Sequence, residues 1–243
     1  YAVEAAEPST LAIVDLDAAG GARYTFHLDG TADWQWSPTE LPPSFGVDVA
    51  AIHAGSMALI RPPGSVAIEG VLARERSCRI ISIDPNVRPA MCPDRVEYAR
   101  HVERWLGLAH IVKASADDAS WLYPDRSARD VVVDWSRRGP AVVVLTMGSG
   151  GALAPTAGGS LVEVPGQQVE VVDTIGAGDT FTAGLLHSLE VQGCLDVEKL
   201  LSITNAQLET ALLFAVRASA FACTRAGADP PYLHELSGAL PAE

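Results

Sequence analysis

The chain has 243 residues, 48% hydrophobic and 19% charged, which suffices for one substantial α/β domain around a real core. No apolar run reaches the length of a membrane span, and a net charge of −13 argues against nucleic acid as a partner. That charge does not exclude a nucleotide, because local N–H groups and magnesium can receive its phosphates. The four cysteines, Cys78, Cys92, Cys194 and Cys223, are scattered with no CxxC pair. They read as reduced thiols of a cytoplasmic protein, not as a disulfide frame or zinc site.

Along the chain, residues 10–15 and 22–28 alternate as a pair of strands, joined across 17–21 by Asp, Ala and Gly. Trp34 and Trp36 then precede a proline-rich link (Pro38, Pro42, Pro43). Either they pin that link to a core or they cap a sugar ring. From Val49 the rhythm becomes strand–helix alternation. We expect strands at 49–54, 79–84, 110–113, 141–146, 151–154 and 161–164. Helices are expected at 64–77, 94–106 with Asp94 as cap, from Ser115, and at 131–138, stopped by Gly139-Pro140. The end reads as helical over 197–223, with a break near 202–205. Near-continuous apolar strands such as Ala-Val-Val-Val-Leu-Thr imply a mostly parallel sheet covered on both faces. Ligands bind beyond the carboxyl ends of such strands. Asp84-Pro85-Asn86, Lys113-Ala114-Ser115 and Thr146-Met147-Gly148 fall there.

The most informative stretch is Asp173-Thr174-Ile175-Gly176-Ala177-Gly178-Asp179-Thr180-Phe181, followed at once by an amphipathic helix (Phe181, Leu185, Leu186, Leu189). Glycines before a helix let backbone N–H groups converge, and the helix N-terminus adds partial positive charge. Such a nest holds an anion, most often phosphate. The amides of Gly176, Ala177 and Gly178 would face the charge of a transferring phosphoryl group. An acid is a poor phosphate ligand, so Asp179 reads as a base that deprotonates an attacking hydroxyl. The competing reading is a tight turn with Asp179 as helix cap. No GxxxxGK[ST] loop occurs. His27, His53 and His187 show no metal spacing and read as structural.

The pattern D-T-x-G-A-G-D-x-F resembles the signature of the ribokinase-like (PfkB) carbohydrate kinases. Asp84-Pro85-Asn86-Val87-Arg88 and the ending Cys223-Thr224-Arg225-Ala226-Gly227-Ala228-Asp229-Pro230-Pro231 resemble that family's fructokinase-like branch. The resemblance spans nearly the whole chain. It implies an α/β/α sandwich with a mostly parallel central sheet, a partial β lid over residues 1–36 and a nucleotide-binding and catalytic core over 37–243. The implied reaction is ATP-dependent phosphorylation of a sugar's primary hydroxyl, with fructose the first candidate. The alternatives are 2-keto-3-deoxygluconate or ribose, or a non-catalytic sugar- or nucleotide-binding protein on the same fold.

In residues, the resemblance makes Asp179 the base and lays Thr146, Gly148, Ser149 and Gly151 along ATP. Lys113, Ser115 and Asp118 occupy the family's N-x-x-E segment, which organises magnesium and phosphate; here Ser and Asp replace its Asn and Glu. Asn86, Arg88 and, from the lid, Phe26 fall on the substrate side. Asp173 and Ile175, with carbonyls of Ala222, Arg225 and Gly227, match the family's potassium site, although a serine often found there is Pro231. The family grips sugar with an early Asp and a Gly-Gly-x-x-x-Asn motif, which the chain does not contain. We therefore expect an N-terminal portion to be missing, and weak or absent kinase activity if the chain is this short. A two-stranded lid alone is marginal in water, so a homodimer through the lid is expected.

Overall fold

A computed structural model describes residues 2–16, 22–156 and 158–237. Strands β1 (Leu11–Leu16) and β2 (Ala22–His27) pair antiparallel, Leu11 opposite His27 through Leu16 opposite Ala22, as a separate two-stranded sheet. The expected turn over 17–21 lies outside the described residues. The main sheet has six strands in sequential order: β3 (Ala51–Gly55), β4 (Ile80–Asp84), β5 (Ile111–Ser115), β6 (Val142–Thr146), β7 (Ala152–Pro155) and β8 (Leu161–Val164). β3 to β6 run parallel, while β7 and β8 are antiparallel additions at one edge.

Helices α1 (Gly64–Glu75), α2 (Arg95–Leu108), α3 (Ala116–Leu122) and α4 (Ala128–Trp135) connect the parallel strands; α5 (Ala177–Val191), α6 (Val197–Leu201) and α7 (Asn205–Cys223) follow β8. Alternate residues of each strand feed opposite cores. Ile81, Ile83, Val143 and Leu145 pack with Leu72, Tyr98, Trp105 and Trp135. Ile80, Val142 and Val144 pack with Phe181, Leu185 and Leu212. This two-faced burial makes the fold a three-layer α/β/α sandwich, as the continuous apolar strands implied.

Local chemistry sets the ends of the elements. Asp94 accepts from the N–H groups of Val96 and Glu97 and so caps α2. Thr204 and Gln207 form a reciprocal capping box that restarts the chain as α7, at the break expected near 202–205. α4 begins before the expected residue 131, because Ser127 accepts from the Asp130 N–H and caps it there. The link before β3 is pinned by Arg79, which donates to the carbonyls of Phe45 (2.6 Å) and Gly46 (3.0 Å). Trp34 is buried, and its carbonyl lies so near Gly64 that a Cβ there would come within 2.8 Å.

Candidate active site

The carboxyl ends of β4, β5 and β6 face the N-terminus of α5, and the turn 173–179 lies between. Gly176 holds φ +76 and caps α5, with no side-chain cap bond. A residue with a Cβ would be strained in that left-handed region. Asp179 is the third residue of α5 and its side chain is exposed. The structure therefore does not support Asp179 as the helix cap; its side chain is exposed to solvent one residue beyond Gly178, and it is not itself part of the groove lining. The Ala177 N–H is taken up by the Thr174 carbonyl at 3.2 Å. The N–H groups of Gly176, Gly178 and Asp179 have no partner among the described residues. The free donors of the cradle thus differ by one amide from those expected. From α7, the Ser219 hydroxyl donates to the Ala177 carbonyl at 2.9 Å and holds the turn in place.

Beneath the turn lies a buried ion pair. Lys113 Nζ is 2.9 Å from Asp84 Oδ2, and both side chains are about 5% exposed. A Cβ built on Gly178 would come within 3.0 Å of Lys113 Nζ. The ammonium therefore underlies the unpartnered amides, its charge shared with Asp84. Burial raises the Asp84 carboxyl above its ordinary pKa, against the pull of Lys113. Asp84 Oδ1 also accepts the Asn86 N–H.

A groove of about 340 Å³ runs from this turn between β6 and α7. Thr146, Gly148, Ser149 and Gly151 line one side; Ala177, Gly178, Val216, Ser219 and Cys223 line the other. Gly151 holds φ +89, and a Cβ there would lie 2.1 Å from the Val164 carbonyl oxygen, so only glycine fits. The structure thus joins the four residues expected along ATP to the anion cradle. Lys113 meets the groove through Gly178, and Ser115 does not line it.

Other expected residues are engaged elsewhere. Ser115 caps α3 and accepts the Asp118 N–H, while Asp118 Oδ2 accepts the Ser115 N–H (2.9 Å) and Oδ1 the Val87 N–H (2.7 Å). Asp118 is buried and ties α3 to the loop after β4. Arg88 folds back and donates to the carbonyls of Asn86 and Val87. Asn86 holds φ +37, and its carbonyl also accepts the Ser56 hydroxyl. Phe26 sits on β2, outside the groove lining.

Asp173 accepts the N–H groups of Ile175 (3.0 Å) and Gly227 (2.8 Å), which hold its carboxyl below the usual pKa. That joins the 173–175 turn to the C-terminal loop. There the Ala222 carbonyl accepts the Arg225 N–H, and the Arg225 guanidinium pairs with Glu235 and Asp229. Among the described residues, no group of three His, Cys, Asp or Glu side chains could hold a metal. Both Asp173 oxygens thus accept amides, and the Ala222 and Gly227 carbonyls accept the N–H groups of Arg225 and Asp229. Sequence reasoning misses the pairing of Lys113 with Asp84: Asp84 ends β4, but Lys113 lies in the middle of β5, which runs on to Ser115 beyond the expected end at residue 113.

Residues 1–235 match the pfkB family carbohydrate kinases, and the chain belongs to that family. It is 37% identical over 201 residues to a fructokinase of Rhizobium leguminosarum bv. trifolii, covering 83% of this chain but only 61% of that protein. Against a fructokinase of Klebsiella pneumoniae it is 30% identical over 246 residues, 98% of this chain and 76% of the other. The fold is similar to the fructokinase of Vibrio cholerae O395 with fructose, ADP and calcium ion bound. The TM-score there is 0.76 at 29% identity, covering 93% of this chain and 70% of that one.

Proposed function

We propose that the chain catalyses ATP-dependent phosphorylation of a sugar's primary hydroxyl, with fructose the preferred acceptor. One observation carries the reading: the glycine-lined groove runs into unpartnered amides at the N-terminus of α5, whose first turn also carries the exposed Asp179. ATP lies along Thr146–Gly151, and its γ-phosphoryl oxygens accept the N–H groups of Gly176 and Gly178. Lys113 and the helix terminus offset the charge there. Asp179 takes the proton of the attacking hydroxyl as the new O–P bond forms, the β–γ bridging bond breaks, and ADP departs. Magnesium, arriving with ATP, would neutralise β- and γ-phosphate oxygens. Because both oxygens of Asp118 accept amides, this chain would reach that ion through water, which Mg²⁺ retains readily. A monovalent cation such as potassium, held by backbone carbonyls beside Asp173, would stiffen the turn without touching sugar.

The acceptor is tested by ADP release across fructose, ribose and 2-keto-3-deoxygluconate. Release is expected to be highest with fructose. Activity on ribose alone would remove the fructose assignment, and equal release with and without any sugar would remove the kinase reading.

The ribbon β1–β2 is proposed as a lid and as the contact between two copies. Leu11 and Ile13 lie on one of its faces, 60% and 48% exposed, and an isolated two-stranded ribbon is marginal in water. Light scattering at micromolar concentration should report a dimer that Leu11→Glu with Ile13→Glu dissociates. A monomeric wild-type chain contradicts this.

A further inference from the structure

Ser219 lies on α7 and lines the groove, and its Oγ donates to the carbonyl of Ala177, the first residue of α5. Of the groove-lining residues on these two helices it alone carries a hydroxyl. Its neighbours on that wall, Phe181, Val216 and Ala220, are apolar. One end of the groove is the cradle, where Gly178 lies against Lys113 of β5. α7 packs instead on β7 and β8, further along the sheet order β5-β6-β7-β8. The groove thus has a direction, with phosphoryl transfer at the β5 end and the nucleoside toward α7. Ser219, bonded to Ala177, stands where the helical wall leaves the cradle.

The partner fixes the direction of this hydrogen bond. A carbonyl oxygen can only accept, so the single proton of the Ser219 hydroxyl is committed to Ala177 at 2.9 Å. To a ligand in the groove the side chain then offers an oxygen that only accepts. The nucleotide presents either its α-phosphate or its ribose beside the cradle. Phosphate oxygens, ionised at neutral pH, also only accept, and would set lone pair against lone pair. Ribose hydroxyls can donate, and they match. The apolar side chains beyond Ser219 suit the faces of a base.

We infer that Ser219 is a nucleotide-specificity residue, its Oγ accepting a hydrogen bond from a ribose hydroxyl, so that the groove prefers ribonucleotides to their deoxy forms. The inference rests on the groove holding nucleotide, as proposed above, and its test needs neither sugar nor turnover. In calorimetric titration of the wild-type chain, 2′-deoxyADP or 3′-deoxyADP should bind roughly 2- to 10-fold more weakly than ADP, the worth of one neutral hydrogen bond. Ser219→Ala should weaken ADP by the same factor and abolish that difference, while Ser219→Thr, which keeps the hydroxyl, should retain it. The melting temperature of Ser219→Ala should change little, because the Ala177 carbonyl keeps its helical partner within α5. Equal wild-type affinity for all three nucleotides overturns the inference, as does a difference that survives undiminished in Ser219→Ala. So does a loss in Ser219→Ala shared equally by ADP and both deoxy forms, which would make the hydroxyl a phosphate contact or a purely structural tie. The expected discrimination in a chain that phosphorylates no sugar would remove the kinase reading and leave this inference standing. A wild-type chain that binds no ADP would remove both.

Discussion

Asp179→Asn should lower turnover by about 10²–10⁴-fold, the usual worth of a positioned general base, while nucleotide affinity is largely kept. The two effects separate because the groups that hold nucleotide are not those that take the proton. The groove residues Thr146, Gly148, Ser149 and Gly151 and the amides of Gly176 and Gly178 remain in the variant. Asparagine keeps the size and a hydrogen-bonding oxygen but cannot accept the hydroxyl proton at neutral pH. Stability should change little, since the side chain is exposed and caps nothing. Steady-state turnover, calorimetric titration with ATP and thermal melting read the three quantities independently. A large loss of ATP affinity would make Asp179 a binding residue; unchanged turnover would end its role as base.

The second large effect concerns Lys113. Lys113→Met should destabilise the fold by about 3–5 kcal/mol, because it leaves a buried carboxylate without its partner. For a chain of this size that is a fall in Tm on the order of 10 °C. Asp84, already raised by burial, rises further when the ammonium is gone. A carboxyl whose folded pKa lies above its unfolded value binds more protons when folded. Its stability is therefore lost as pH rises from the unfolded pKa through the folded one. The Tm deficit of Lys113→Met should consequently be smaller near pH 5 than near pH 8. The double variant Lys113→Met with Asp84→Asn removes both charges and should regain much of the stability. It should not regain turnover, because the positive charge beneath Gly178 is still missing. Recovery of turnover along with stability would reduce Lys113 to a structural residue.

Much of this site is legible in the sequence, since its parts are local. A left-handed Gly176 followed by a helix can be read from Gly-Ala-Gly before an amphipathic run. The glycine-lined groove follows from Thr146-Met147-Gly148-Ser149-Gly150-Gly151 at the end of a buried strand. What escapes is long-range pairing. Lys113 and Asp84 are 29 residues apart, and nothing local says that one neutralises the other. Asp118 is an oxygen-bearing residue in the sequence, but whether its oxygens meet a metal or amides depends on the path of the loop at Val87. The same loop turns Arg88 onto its own carbonyls, a matter of backbone dihedrals around Asn86 that composition does not encode.

The central claim is that an exposed carboxylate over unpartnered helix amides moves a phosphoryl group to an alcohol. Transfer of label from [γ-³²P]ATP, followed in the wild-type chain and in Asp179→Asn, tests it most directly. The account predicts label in a phosphate ester of fructose from the wild-type chain and next to none from the variant. Label released only as inorganic phosphate, at a rate indifferent to fructose, would contradict it, as would undiminished ester formation by the variant.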